Sequence, residues 1–145
     1  MTKMPKFLSD AAYDDSVGRM LRQLTNRLKA EMKSRLACLN MNINEYYVFV
    51  NLFEREGMTQ TQLSERMSMP AYGISRLIDG MSSKNLIERR GDPCSRRSVR
   101  VFLTDEAKAK IPEVMGSLED INDWILKPLD NDEKEAFICA LRKLA

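Results

Sequence analysis

The sequence contains no histidine. That absence removes the commonest general base and the commonest zinc ligand together. Cysteine is scarce too: Cys38, Cys94 and Cys139 are odd in number, far apart and without paired spacing. They argue against a disulfide scaffold and suit a reducing compartment. Neither of the common Gly-rich phosphate-binding loops is present. No apolar run reaches the ~18–20 residues of a membrane span. Residues 1–9 lack the apolar stretch and small-residue cleavage site of a secretory signal, so a cytoplasmic protein is expected. An enzyme would have to work through Asp, Glu or Cys alone, and nothing organises those groups. No catalytic activity, cofactor or metal is expected.

What is present is an ordinary globular composition: 145 residues, 43% apolar and 30% charged, enough for one domain with one core. The net charge of +2 conceals segregation. Residues 19–40 carry six basic side chains (Arg19, Arg22, Arg27, Lys29, Lys33, Arg35) against Glu31. Residues 84–100 carry six more (Lys84, Arg89, Arg90, Arg96, Arg97, Arg100) against Glu88 and Asp92. Residues 104–145 reverse the sign, with ten acids and six bases. Such segregation points to an anionic partner that meets one part of the molecule.

The apolar spacing predicts a long helix over 14–39, striped by Val17, Met20, Leu21, Leu24, Leu28, Met32, Leu36 and Leu39. It exceeds the ~11–12-residue mean length, and a dimer contact accounts for its stripe better than burial within one chain. A second helix is expected after Asn44 as N-cap, with Ile43 and Val48 as a staple and Gly57 as its stop. Within it Tyr46, Tyr47, Phe49 and Phe53 read as core. Thr59 and Gln62 have capping-box spacing for a short third helix, with Met58 and Leu63 as its staple. A fourth helix over about 70–84 buries Ile74, Leu77, Ile78 and Met81 and leaves Ala71, Tyr72, Gly73, Ser75, Arg76 and Asp79 outside. Strands over 86–90 and 98–103 flank the turn Gly91-Asp92-Pro93, with Val99, Val101 and Leu103 facing the core. Thr104 opens a fifth helix carrying Ile111, Met115, Leu118, Ile121 and Ile125 and ending near Pro128. Asp130 or Asn131 opens a last helix with Phe137, Ala140, Leu141 and Leu144 inward.

Two short helices joined by a tight turn and followed by a hairpin are the elements of a winged helix-turn-helix. The fold class expected is therefore mainly α with a small β-hairpin wing. Its chemistry suits DNA, because a major groove ~12 Å wide admits a helix whose outward side chains are small. A neighbouring hairpin can place an arginine in the minor groove, where narrow A·T-rich stretches concentrate negative potential. Alternatives stand beside each signal. Arg96 and Arg97 taken alone fit a solvated turn; Arg76 fits either DNA contact or an ion pair with Asp79; Tyr72 fits either base contact or packing beside the turn.

Residues Ser75, Arg76, Leu77, Asp79, Met81, Lys84, Leu86, Ile87 and Arg89, followed by Asp92, Pro93, Arg96, Arg97, Leu103 and Thr104, carry a more specific pattern. In these the chain resembles the MarR family of bacterial transcription regulators, strongly over 43–107 and weakly towards both ends. The resemblance implies one domain over 1–145. Its winged helix-turn-helix lobe would span 43–107, with helical dimerisation regions over 10–40 and 108–145. It implies a homodimer bound to a pseudo-palindromic duplex, a repressor or regulator, with release by a small aromatic effector. By the same resemblance Arg97 is the wing-tip residue for the minor groove, and Arg96 and Arg100 meet phosphates or brace the wing. Tyr72, Gly73, Ser75 and Arg76 lie on the groove side, Pro70 and Ala71 bring the backbone close, and Thr59 and Gln60 meet phosphate. The competing function is a winged-helix protein–protein adaptor without DNA binding. Three departures stand out: Ser95 where relatives carry an acid that holds the wing arginine, Asn85 for Gly, and Ala107 for the final Gly. Asp92 is the candidate substitute for the missing acid. Cys94 reads as an incidental thiol or as a redox switch.

Overall fold

Helical periodicity dominates the sequence, and the structure, a computed structural model, describes residues 16–145. The elements are α1 (Val17–Ala37), α2 (Ile43–Glu54), β1 (Met58–Thr59), α3 (Gln60–Met67), α4 (Ala71–Ser83), β2 (Ile87–Asp92), β3 (Ser95–Leu103), α5 (Asp105–Ala109), α6 (Ile111–Leu126) and α7 (Asn131–Leu144). Positions 14 and 15 of the expected first helix, and 10–15 of the expected dimerisation region, lie outside the described residues. Among the described residues, no helix is long and apolar enough to cross a membrane.

The described residues divide into two units, one from Arg35 to Asp120 and one made of residues 16–34 together with Ile121–Ala145. In the first, Phe49, Leu52, Leu63, Ile74, Ile78, Met81, Val101, Leu103 and Val114 are fully buried. The three strands form one antiparallel sheet in the order β1-β3-β2, with Met58 opposite Val101 and Ile87 opposite Leu103. Glu45 is the buried charge of this unit, at 4% exposure. Its carboxylate accepts from Lys84 Nζ at 2.9 Å, and Lys84 also donates to the Asn40 carbonyl at 2.9 Å. A buried carboxylate so paired joins the start of α2 to the end of α4.

Several local expectations change. The N-cap of α2 is Asn42, not Asn44, because Asn42 and Glu45 close a reciprocal capping box. That helix ends at Glu54, and Gly57, at φ +74°, leads into β1. Tyr47 and Phe53 are more than 40% exposed, whereas Tyr46 and Phe49 are core. The single helix expected from Thr104 to Pro128 is two, broken at Lys110. Pro112 has no N–H to offer the carbonyl four residues back, so the helix restarts with proline in its first turn. Val114, outside the expected stripe, is fully buried there.

In the second unit the stripe is left open. Val17, Met20 and Leu21 are 64%, 48% and 46% exposed, and no residue of α7 is buried. Ala140, Leu141 and Leu144, expected inward, are all exposed. An apolar groove of about 460 Å³ runs through this unit, lined by Leu21, Leu24, Leu28, Ile125, Phe137 and Leu141 among others.

Candidate nucleic-acid interface

Thr59 organises the start of α3. Its Oγ1 accepts from Gln62 N at 3.2 Å, and its own N–H donates to Gln62 Oε1 at 2.9 Å. Thr59 is also the last residue of β1 and pairs with Arg100 of β3, so the helix start is fixed to the sheet. After α3 the chain reverses at Ser68, which adopts the left-handed conformation with φ 51°. Pro70 stands at the N-cap of α4 without a side-chain cap, and its carbonyl accepts from Gly73 N at 2.9 Å.

Ile74, Ile78 and Met81 hold α4 to the core, while Leu77 is half-buried. The opposite face presents Pro70, Ala71, Tyr72 and Arg76 to solvent, with Gly73 and Ser75 half-buried. Tyr72 is 73% exposed, so it does not pack beside the turn. Asp79 is held by the Arg89 guanidinium from β2. Among the described residues no ion pair engages Arg76, whose candidate partner is thus already taken.

The cations of 84–100 divide the same way. Lys84 pairs with Glu45, Arg89 with Asp79, and Arg90 with Glu88 while stacking over Phe102 at 4.3 Å. Arg100 Nε lies 3.2 Å from Asp92 Oδ1, and its Nη1 donates to the Gly57 carbonyl at 3.2 Å. The Asp92 contact is a charge pairing without an aligned hydrogen bond, since Arg100 Nε is buried and makes none. Arg96 and Arg97 are exposed and engaged in no ion pair among the described residues. Four of the six cations are therefore neutralised internally and two are presented.

The wing tip is built around Asp92. Its Oδ1 accepts the Cys94 N–H at 3.0 Å, and its side chain is 9% exposed. The Cys94 amide, and after it Arg100, hold its carboxyl below the ordinary carboxylate range against an opposing push from burial. Asp92 thus fills the gap left by Ser95, but the arginine it holds is Arg100. Val99, expected to face the core, is 39% exposed. It stands opposite Gly91 beside the bulge at Gly91/Asp92, beyond the reach of β1.

Thr59, Gln60 and Thr61 at the start of α3 share a shallow cleft of about 200 Å³ with Arg97, Ser98 and Val99. Three sequence candidates, Thr59, Gln60 and Arg97, therefore meet at one place. Arg100 turns away to the Gly57 carbonyl, and the candidates of α4 form a separate outer face. Sequence reasoning missed the Glu45–Lys84 and Asp79–Arg89 pairs. The only local signal was the Asn42-x-x-Glu45 capping spacing. Among the described residues no group of three or more acidic or cysteine side chains is placed to hold a metal.

Comparison with known proteins finds relatives of this lobe. Residues 39–98 match the family model described as MarR family. YsmB, an uncharacterized HTH-type transcriptional regulator of Bacillus subtilis, is 32% identical over 93 residues, 64% of this chain and 64% of its own length. The crystal structure of a probable transcriptional regulator from Pseudomonas aeruginosa superposes with a TM-score of 0.83 at 26% identity, covering 92% of this chain and 99% of that one. A mutant of MarR from E. coli, solved in complex with operator DNA, also gives a TM-score of 0.83, at 20% identity over 94% and 98% of the two chains.

Proposed function

We propose that the chain is a member of the MarR family, which its matched lobe and its relatives support, and that it acts as a homodimeric, sequence-specific repressor of transcription that binds a pseudo-palindromic duplex. Helix α4 enters the major groove. There Arg76 and Tyr72 meet base edges, with Ser75 and Gly73 beside them, and Pro70 and Ala71 let the backbone approach. Arg97 enters the minor groove, Arg96 meets phosphate, and Thr59 and Gln60 bond the backbone between them. The observation that carries this reading is the sorting of the arginines. In a segment where the other cations are paired internally, Arg96 and Arg97 make no ion pair among the described residues, and Arg97 lines a cleft with the start of α3.

The lobe over 43–107 supplies the DNA contacts, and the regions 10–40 and 108–145 supply the dimer contacts. The open apolar residues of α1 and α7 support the second assignment. Release by a small aromatic effector completes the proposal and rests on family membership alone. Selection of bound sequences from random duplexes tests the reading. The expected product is an inverted repeat whose half-site centres lie about one helical turn, ~34–36 Å, apart. Affinity should fall steeply with salt, because each neutralised phosphate releases counterions. Failure to enrich any duplex, or affinity indifferent to salt, refutes it.

A further inference from the structure

The family resemblance leaves Arg100 either to meet phosphate or to brace the wing, and its guanidinium is engaged inside the wing. We propose that Arg100 is a positioning residue. Clamped between Asp92 at the wing tip and the Gly57 carbonyl before β1, it fixes where Arg97 stands over the start of α3. The proposal rests on the DNA-binding reading above.

Packing alone does not hold the tip. From Gly91 to Val99 no apolar side chain is buried, and Val101 is the first fully buried side chain inward from the tip on β3. A hairpin end without apolar anchorage needs polar ties to keep one geometry. Arg100 supplies them from the middle of the sheet, opposite Arg90 on one side and Thr59 on the other. One end of its fork reaches Asp92, which also shapes the Pro93–Cys94 turn through the Cys94 N–H. The other end reaches the Gly57 carbonyl, two residues before the cap of α3. The Gly57 N–H is itself bound to the Val101 carbonyl at 3.1 Å, so this anchor point is rigid. A Cβ at Gly57 would stand 3.1 Å from the Phe102 ring, which keeps the strands close there. The tip that carries Arg97 and the helix start that shares its cleft are thus connected through one side chain.

The sign of one substitution separates this from simple electrostatics. Asp92 is an acid on a surface meant for a polyanion, so removing its charge should tighten binding if charge alone mattered. The clamp requires the reverse. The experiment titrates a duplex selected by the wild-type protein from a random pool. It uses Asp92→Asn, Arg100→Gln, the two combined, and Arg100→Lys, each in the wild-type and the Arg97→Ala backgrounds.

Asp92→Asn and Arg100→Gln should each weaken binding about fivefold to tenfold, somewhat less than the loss of Arg97 itself. Their combination should cost no more than either alone, and neither should matter once Arg97 is alanine. Arg100→Lys keeps the charge but not the fork, so it should weaken binding as well. Melting curves separate any unfolding from the DNA effect, and Arg100→Lys serves if the other variants fold poorly. Unchanged or tighter binding by Asp92→Asn overturns the clamp. So does an Arg100→Gln loss that persists in the Arg97→Ala background, which would mark a direct contact. If Arg97→Ala binds as well as wild type, or wild type selects no duplex, the DNA reading fails and takes the clamp with it.

Discussion

Asn85 sits at φ 56°, in the left-handed region. Asparagine tolerates that region better than other side chains. Here it gains more: its Nδ2 donates to Glu106 Oε2 at 2.6 Å, and its carbonyl accepts from Thr104 Oγ1 at 2.7 Å. Asn85→Val should therefore cost about 1–2 kcal/mol by denaturant titration. Asn85→Gly should stay within roughly 0.5 kcal/mol, since it trades an exposed hydrogen bond for backbone freedom. Tyr46 presents the opposite case, a side chain 2% exposed whose hydroxyl finds no partner among the described residues. Burial, with Tyr47 beside it, pushes its pKa from 10.0 up to about 12. A raised folded value means that the stabilising contribution is whole below the unfolded pKa and is lost as pH rises through the folded one. Stability should fall between pH 10 and about 12 in the wild type, and Tyr46→Phe should remove that component. At neutral pH the same substitution should stabilise by about 1 kcal/mol, because a buried hydroxyl no longer goes unsatisfied. Thermal melts of both proteins across that pH range check both statements.

At the scale of the element, the capping boxes decide where helices start. Thr59→Ala should cost about 1 kcal/mol of stability, read by thermal melting, and Ser at that position should restore most of it. The Thr59–Gln62 box was legible in the sequence because both its members lie within four residues and obey one spacing rule. The box at Asn42 obeys the same rule, but an equally good cap two residues later concealed it. Only the reciprocal bond with Glu45 selects between them. The break before α6 was legible in Pro112, but the apolar stripe that begins at Ile111 concealed it by extending the helical spacing directly from the start at Thr104. β1 was not legible at all, since two residues carry no periodicity and exist as a strand only through Val101 and Arg100 across the sheet. The same limit governs the interface. The sequence shows six cations between residues 84 and 100, but which are free is settled by acids distant in the chain, such as Glu45 for Lys84. Val99 was misplaced for a related reason: alternation gives the face it shares with Val101, not how far the core extends beneath it.

Across the whole molecule, charge and apolar surface are divided between regions of the chain in a way that one copy does not resolve. Val17, Met20, Leu21, Ile138, Leu141 and Leu144 are each more than a third exposed, all in the helices near the two chain ends. Solvated apolar side chains in such numbers mark a contact surface. A second copy of the same surface would bury them with the symmetry that a pseudo-palindromic duplex demands. Leu21→Asp and Leu141→Asp introduce a charge on that surface, where each leucine is already 39% or more exposed in the single chain. Both lie outside the unit Arg35–Asp120. Each should convert the protein to a monomer in sedimentation equilibrium while helicity is retained. Operator affinity should then fall by well over tenfold, because the second half-site no longer binds at the effective concentration set by the first. The slope of affinity against salt should fall to about half, as one lobe neutralises half as many phosphates. A variant that becomes monomeric yet keeps the full slope would show that each lobe already covers the whole site, and the paired-helix geometry would have to be abandoned.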